Sequence, residues 1–271
     1  MSFKFSYEKE HCFLDNTRAL VQIRGEDAKK FLLGLITNDL NHSSECLQYA
    51  AVLSPQGKYL FDFFIIKRSD KVFILDIKLN VVEEFCKRLS LYRLRADVII
   101  ERMDGQVVVG HLNRPPDSFE DPRNVHLGWR KYFFKNEYFL TEINDITYSN
   151  FQELRVKYCI PETGIELLMD KTYILEAGFE RLNGVSFKKG CYVGQEVTAR
   201  MKHKAELGKG LIRVEFNGEI ARIGTDITSN GRAVGKIYSA YKSHAIAFLK
   251  FRGSTENLMS GNSFIKIIER F

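Results

Sequence analysis

The sequence has few of the residues that mark several whole classes of protein. Its 271 residues include only five prolines, which excludes collagen-like and proline-rich chains. The five cysteines are widely spaced, odd in number and without a Cys-x-x-Cys pair, so neither a disulfide framework nor a zinc finger is expected. No apolar run approaches the roughly 18 residues that a membrane-spanning helix needs, so no membrane partner is expected.

Hydrophobic side chains are plentiful by contrast. They make up 45% of the sequence, and aromatic residues make up 13%, which excludes disorder as the dominant state. The length favours two compact units over one. The start of the chain, Met1 to Glu10, is charged and lacks the basic-then-apolar pattern of a signal peptide. We therefore predict a soluble protein of the cytoplasm.

Positive charge is concentrated in one short stretch. The chain has a formal net charge of +6, and the window from Arg181 to Gly210 holds seven basic and two acidic residues, a net +5. Such a patch favours an anionic partner: a polyanionic cofactor tail, an acidic protein or nucleic acid. A solvated helix face is the alternative reading of the same pattern.

The chain divides into two parts with different patterns of predicted secondary structure. Up to residue 204, short strands mix with amphipathic helices, which is typical of an α+β layer. From residue 205 onward, short strands follow one another through tight turns, and Asn230-Gly231 is a strong hairpin signal. This pattern predicts a small β-barrel or sandwich. We therefore predict an α+β region over residues 1–204 and a C-terminal β-barrel domain over residues 205–271.

The most unusual stretch reads KKGCYVGQEV and carries Cys191 at its fourth position. Gly190 permits backbone angles that other residues resist, and Gly194 permits close approach of a backbone or a ligand. A helix is predicted over Tyr192–Lys204, so its dipole and the two preceding lysines favour a thiolate at Cys191. These features predict a reactive or metal-binding cysteine. A structural turn with an inert thiol is the alternative.

The same stretch resembles the K-G-C-Y-x-G-Q-E signature of the YgfZ-type folate-binding proteins. These are relatives of the aminomethyltransferase (T-protein) of glycine cleavage, and they include mitochondrial proteins that assist iron–sulfur cluster assembly. Cys159 stands where the family usually has glycine. The signature residues here are Lys189, Gly190, Cys191, Tyr192, Gly194, Gln195 and Glu196. Further segments that resemble the family, in the same order, are Phe31-Leu32 with Thr37-Asn38-Asp39, Tyr49 to Gly57, Asp121-Pro122-Arg123 with Arg130, and Arg155 with Ile160-Pro161-Glu162.

The resemblance implies a T-protein-like fold of three lobes around a central opening that accepts tetrahydrofolate, with the barrel as the last lobe. The basic patch would then receive the carboxylates of folate. The donor edge of the pterin needs acidic or amide partners. The candidate folate contacts are Asn38, Asp39, Asp62 and Glu176, with Arg123 and Arg155 from the matching segments.

One function that the resemblance implies is aminomethyl transfer to tetrahydrofolate. In the T-protein a carboxylate pair follows a glycine turn, and the first acid orients the reacting folate nitrogen. If Asp62 matches the second acid, Phe61 occupies the first position, where a phenyl ring can neither accept nor position a proton. A shifted register would let Asp62 serve instead. Strand alternation disfavours that shift, because it places Tyr59, Phe61 and Phe63 on one face and Asp62 on the other.

The preferred function is a folate-binding accessory factor for iron–sulfur proteins, including those of tRNA-thiolating enzymes. Cys191 would be a thiolate that transiently ligates iron or protects a cluster. One cysteine cannot hold a cluster, and the other four lack matching spacing, so a scaffold or carrier protein would supply the remaining ligands. Lys189 is expected to lower the pKa of the thiol, and Gln195 and Glu196 are expected to fix the loop.

A third hypothesis is an RNA-binding protein associated with tRNA modification that uses the basic patch. Arg200 and the run Lys202-His203-Lys204 favour it. Stacking platforms for bases are sparse, because Phe187 and Tyr192 are the only aromatic residues in the basic window. Nucleic acid is therefore the least favoured partner.

Overall fold

The computed structural model describes residues 12–41, 46–110, 114–134, 145–203, 206–251 and 257–270. These residues form two compact units. Unit 1 takes the described parts of Met1–Lys29, His42–Leu47 and Phe63–Gln152, and unit 2 takes those of Lys30–Asn41, Gln48–Asp62 and Glu153–Phe271. Across these residues, no helix combines the length and the apolar character that crossing a bilayer requires.

Strands and helices mix in the first part of the chain, and strands alone follow the last helix. The mixed part contains β1 (Cys12–Leu14), β2 (Arg18–Arg24), α1 (Ala28–Leu33), β3 (Gln48–Leu53), β4 (Tyr59–Ser69), β5 (Val72–Lys78), α2 (Val82–Arg93), β6 (Ile99–Met103), β7 (Gly105–Gly110), β8 (Phe119–Glu120), β9 (Trp129–Phe134), α3 (Asp145–Lys157) and α4 (Gln195–Lys202). The last part contains β10 (Lys209–Asn217), β11 (Asp226–Ser229), β12 (Arg232–Tyr241), β13 (His244–Lys250), β14 (Leu258–Ser260) and β15 (Ser263–Arg270).

Unit 1 is built from two antiparallel sheets. In the first, β5 lies between β4 and β2, and β2 pairs on its other side with β6. In the second, the order is β1-β7-β9-β8. Helix α2 buries Val82, Phe85 and Leu89, which recur at helical spacing, and the ring of Phe85 lies 5.2 Å from that of Phe63 on β4.

A buried ion network lies within unit 1. Asp76 on β5 is fully buried, and its carboxylate contacts Arg18 at 2.5 Å, Arg130 at 3.4 Å and the hydroxyl of Tyr132 at 2.9 Å. Arg130 also reaches Asp121 at 3.2 Å. A buried carboxylate is tolerated only when it is paired and hydrogen-bonded, and these partners meet that condition. The Asp121 to Arg130 segment that resembles the family therefore contributes directly to the core of unit 1.

Helix α3 ends in a Schellman motif that explains the family's glycine at position 159. The amide of Ile160 donates to the carbonyl of Arg155, the amide of Cys159 donates to that of Val156, and Cys159 has a φ of 50°. Glycine adopts this left-handed conformation at least cost. The thiol of Cys159 is fully buried, and desolvation raises its pKa to about 12. This cysteine is therefore structural.

The C-terminal strands close into a barrel, which confirms the prediction. Their order is β10-β13-β12-β11-β14-β15, and β15 pairs back to β10. Asn230 and Gly231 form the turn between β11 and β12 with positive φ angles of 49° and 76°, as the hairpin signal predicts. Strand β14 is not apparent in the sequence because it has only three residues. The barrel lies within unit 2, and the domain boundary at residue 205 remains a prediction.

Replacing Asp76 with asparagine is expected to lower the free energy of unfolding by about 3–5 kcal/mol, because the substitution removes the buried carboxylate that pairs with both Arg18 and Arg130. Denaturant unfolding measures the change. The matched control is Asp70→Asn, which alters an exposed carboxylate paired with Lys29 and Lys67 and should leave stability unchanged. Equal effects of the two substitutions would show that burial of the Asp76 network is not what stabilises unit 1.

Candidate functional site

The segment that carries Cys191 is attached at both ends to the chain that follows α1. The amide of Ser186 donates to the carbonyl of Thr37 at 3.0 Å, and the amide of Val193 donates to that of Gly34 at 3.1 Å. Residues 190 and 191 lie between these attachments and are both exposed. We call residues 186–193 the cysteine loop.

Lys189 is the third attachment of the cysteine loop. Its side chain is buried, and its ammonium donates to the carbonyls of Leu33 at 2.8 Å and Ile36 at 2.6 Å, where a cation also complements the end of α1. The ammonium lies 4.8 Å from the centre of the Tyr192 ring. Desolvation lowers the pKa of Lys189 to about 8, against an opposing effect of Asp39. The ammonium of Lys189 is thus bound by backbone carbonyls. Its predicted effect on the Cys191 thiol stays a prediction.

Gly194 joins the cysteine loop to helix α4 through a close backbone contact. It has a φ of 82°, and a Cβ placed there would lie 2.6 Å from the carbonyl oxygen of Ser54 and 3.1 Å from the Cα of Gly57. The close approach predicted for Gly194 is thus made by the turn between β3 and β4. Gly190 differs from the prediction. Its φ is not positive, and a Cβ placed there would meet only open space.

Helix α4 begins later than the sequence predicts. Gly194 is its N-cap residue and Gln195 its first residue, so Cys191 lies three residues before the cap. The dipole effect falls off within the first turn, and the predicted dipole contribution to the thiolate is therefore not supplied. The helix starts at Gln195 because the left-handed φ of Gly194 interrupts helical geometry.

The other signature residues support the loop from the side of α4. Tyr192 is buried, and desolvation raises its pKa to about 12, against a hydrogen bond with Thr198. Gln195 is half-buried, and its backbone amide donates to the backbone carbonyl of Tyr192 at 3.1 Å. Glu196 is exposed and pairs with Arg200 along the helix at 2.9 Å.

Cys191 is one of two exposed cysteines in the described chain, the other being Cys46. Cys12 and Cys159 are buried, and Cys86 is half-buried. No group of three or more His, Cys, Asp or Glu side chains in the described ranges is arranged to hold a metal ion.

Part of the positive charge of the basic window is paired with carboxylates in the folded chain. Arg181 donates to the carbonyls of Tyr158 and Cys159, and Lys189 is bound as described above. Lys188 is exposed and forms no ion pair with any described residue. The ion pairs of the window among the described residues are Arg200 with Glu196, Lys202 with Glu180, and Lys209 with Glu176 at 3.7 Å. The window therefore offers less free positive charge to a polyanion than its sequence predicts.

Asp62 lies in a cage of hydroxyl groups. Its buried carboxylate accepts hydrogen bonds from Tyr49 at 2.9 Å, Tyr59 at 2.6 Å and Thr163 at 2.5 Å. Burial, and then the charge of Asp62, raise the pKa of Tyr59 well above its usual range. Phe61 is fully buried. Strand alternation predicts Tyr59 and Asp62 on opposite faces, but Tyr59 is the first residue of β4, and its backbone pairs with residues 170 and 172.

The remaining candidate folate contacts are bound to other parts of the chain. The amide of Asn38 donates to the carbonyls of Tyr49 and Asn183, and the carboxylate of Asp39 accepts from the Leu40 amide. Each of the other three has an ionic partner within its own unit. These are Arg123 with Asp121 at 2.8 Å, Arg155 with Glu166 at 3.1 Å, and Glu176 with Lys209 at 3.7 Å.

Several residues of the site are missed by sequence reasoning. Tyr49, Tyr59 and Thr163 surround Asp62, and Thr198 meets Tyr192. A signal for the first three exists, because an aspartate in an otherwise apolar strand must find hydrogen-bond donors. The sequence does not show which hydroxyl groups supply them, since Thr163 is 101 residues away from Asp62.

The fold of the chain is that of an aminomethyltransferase of known structure. It matches the structure of glycine cleavage system aminomethyltransferase T from Bartonella henselae with a TM-score of 0.75, covering 96% of this chain and 85% of that chain at 12% sequence identity. That identity shows the fold alone, and it confirms the predicted T-protein-like α+β fold. Residues 209–267 match the family model described as CAF17, C-terminal beta-barrel domain.

Sequence comparison identifies the family to which the chain belongs. The mitochondrial iron–sulfur cluster assembly factor IBA57 of Mus musculus is 30% identical over 278 residues, which cover 88% of this chain and 77% of the relative. Its Homo sapiens counterpart is 30% identical over 275 residues with the same coverage. The chain belongs to the IBA57 family of iron–sulfur cluster assembly factors, which confirms the family resemblance of its motifs.

The predicted cytoplasmic location is wrong. Both of these relatives, and a third from Mycosarcoma maydis, are named as mitochondrial proteins. The prediction rested on the lack of a secretory pattern in the first residues, and that lack carries no information about other compartments.

Gly194→Ala is expected to lower the free energy of unfolding by about 2–4 kcal/mol, because it adds a strained φ and a clash with the Ser54 carbonyl. Gly190→Ala is the matched control and should cost much less, since its Cβ meets open space. Thermal and denaturant unfolding of both variants compare them. A larger loss for Gly190→Ala would contradict the packing described for the two glycines.

Lys189→Met is expected to cost about 1–3 kcal/mol, because the carbonyls of Leu33 and Ile36 lose their shared donor. Hydrogen exchange at the Val193 amide should also become faster, since the loop is held at fewer points. Lys188→Met removes the same charge from an exposed position and should change neither quantity. If both variants behave like the unsubstituted protein, the Lys189 attachment does not hold the loop.

Proposed function

We propose that this chain is a tetrahydrofolate-binding accessory factor in the assembly or repair of iron–sulfur clusters, and that it acts through Cys191. The observation that carries the proposal is an exposed thiol on a loop attached on both sides. A loop so constrained presents its sulfur in one arrangement, which lowers the ordering cost of meeting a partner. Family membership supports the role in cluster assembly.

Cys191 takes the role of a transient ligand to cluster iron in this proposal. Iron of a cluster is held by thiolates, usually four for one cluster. The described residues include no group of three or more His, Cys, Asp or Glu side chains that could hold a metal ion. An iron–sulfur scaffold or carrier protein supplies the remaining ligands, and the cluster is cargo shared between two proteins.

A transferase activity is disfavoured by the residue at the expected first acid position. Phe61 is fully buried and has no group that can orient a folate nitrogen or move a proton. The carboxylate of Asp62 already accepts hydrogen bonds from the hydroxyl groups of Tyr49, Tyr59 and Thr163. The accessory role needs neither residue as an acid or base.

Folate binding rests on the fold, and the candidate contacts fit it only in part. The hydrogen-bond donors of Asn38, Arg123 and Arg155 are directed at other groups of the chain. These three residues do not form a preformed cradle for folate, so we derive no chemical step through it. Asp39 and Glu176 remain the proposed partners of the pterin donor edge.

An RNA-binding role lacks an observation that favours it. Arg200 and Lys202 of the basic window are paired with carboxylates, Lys189 is bound by backbone carbonyls, and Tyr192 is buried. Phe187 is exposed and is the one aromatic residue of the window that a base could stack on. Electrophoretic shift with tRNA at moderate salt tests this role, and persistent binding would revive it.

Cys191→Ser is expected to abolish most of the rescue of iron–sulfur enzyme activity in cells that lack their own member of the family. Cys46→Ser is the matched control, because it removes the other exposed thiol of the described chain. Rescue by Cys191→Ser equal to that by Cys46→Ser would remove the thiolate from the proposal.

Two further assays separate the parts of the proposal. Calorimetric titration with tetrahydrofolate at low and moderate salt should show binding in both, and absence of binding at both would remove the folate claim. Transfer from an aminomethyl-lipoyl carrier should show no turnover. Measurable turnover would favour the enzyme and contradict the argument from Phe61.

A further inference from the structure

The end of helix α2 in unit 1 exposes two leucine side chains, and one of them is the most exposed large hydrophobic side chain of the described chain. Leu94 is 87% exposed, and Leu91, one turn earlier, is 65% exposed. The helix already buries Val82, Phe85 and Leu89 toward the sheet, so these two leucines are not needed for its packing. Single exposed leucines are ordinary on protein surfaces, but a neighbouring pair at a helix end needs a further reason.

The backbone of Leu94 makes its identity more unusual. It follows the last residue of α2 with a φ of 45° and a ψ of −109°. Helices commonly end with glycine at a positive φ, because a Cβ is strained there. A leucine at this position costs the isolated chain free energy in two ways: its backbone is strained, and its apolar side chain is exposed to water. Strain of this kind is concentrated at functional positions.

The charged residues next to the leucines in the sequence are all basic. Between Glu84 and Asp97 the sequence has no acidic residue and four basic ones. Some exposed basic side chains elsewhere in unit 1 have acidic partners, as Lys71 does with Glu26 and Arg102 with Glu83. The four basic residues, none of which forms an ion pair with a described residue, are Lys87, Arg88, Arg93 and Arg95.

We infer that the end of α2 is a docking surface for an acidic segment of a partner protein that also carries an apolar pocket or side chain. Leu94 and Leu91 supply the apolar contact, and Arg93 and Arg95 supply the charge. This inference goes beyond the proposed function and does not depend on Cys191. We call residues 87–95 the α2 end surface.

The composition favours a protein partner over a lipid surface. Three of the four basic residues of the α2 end surface are arginines. The planar guanidinium group binds carboxylates in a bidentate way, and arginine is enriched in protein interfaces. The apolar contribution is a projecting leucine next to two arginines, which suits a pocket lined by carboxylates. Binding to an anionic membrane is the competing outcome of the test.

The test uses fluorescence anisotropy with a labelled helical peptide of glutamate, leucine and alanine. The full chain should bind it, and the double variant Arg93→Glu, Arg95→Glu should bind at least about tenfold more weakly. Leu94→Gly should also weaken binding, while its Tm is unchanged or raised because glycine relieves the backbone strain. A merely structural Leu94 would instead lower the Tm without affecting binding.

A matched control lies on the barrel. Ile223 is 69% exposed beside exposed Arg222, so the double variant Arg222→Glu, Ile223→Ser makes the same kind of change at another site and should bind the peptide normally. The inference is overturned if the peptide does not bind, if the control variant loses binding equally, or if only phosphatidylglycerol vesicles bind to the α2 end surface. Sedimentation of the free chain reveals self-association through this surface, which would also overturn it.

Discussion

The presentation of Cys191 depends on one buried cation. The ammonium of Lys189 donates to one carbonyl at the end of α1 and one just after it, and with the amides of Ser186 and Val193 it fixes the cysteine loop within unit 2. Burying the ammonium has a cost, visible in its lowered pKa, and the two carbonyls offset it. What results is an exposed sulfur on a loop whose neighbours on both sides are anchored.

The signature residues therefore include several that support the loop and one cysteine whose thiol is exposed. Lys189, Tyr192 and Gly194 are defined by burial or close backbone contact. Supporting residues also occur in the other family-like segments. The Asp121 to Arg130 segment forms part of a buried ion network, and Arg155 is bound to Glu166 and Ser239. Much of what makes the family recognisable is thus the chemistry of a polar core.

Local patterns predicted the fold better than the site. The barrel strands and the Asn230-Gly231 turn follow from alternation and turn chemistry, which are properties of neighbouring residues. The charge partners do not, because Lys202 meets Glu180 only after folding, and such pairs reduce the net charge of the predicted basic patch. The start of α4 was also placed too early, since composition alone does not reveal the left-handed Gly194. Site properties thus depend on tertiary pairing that no short window contains.

The attachments of Lys189 join residues 156 and 153 positions apart in the sequence. Contacts between such distant residues carry a large loop-closure cost and form late. A newly synthesised chain therefore lacks a positioned thiol until its first and last thirds have come together. If Cys191 acts as proposed, only molecules that have finished folding present this sulfur to iron, and partly folded ones do not.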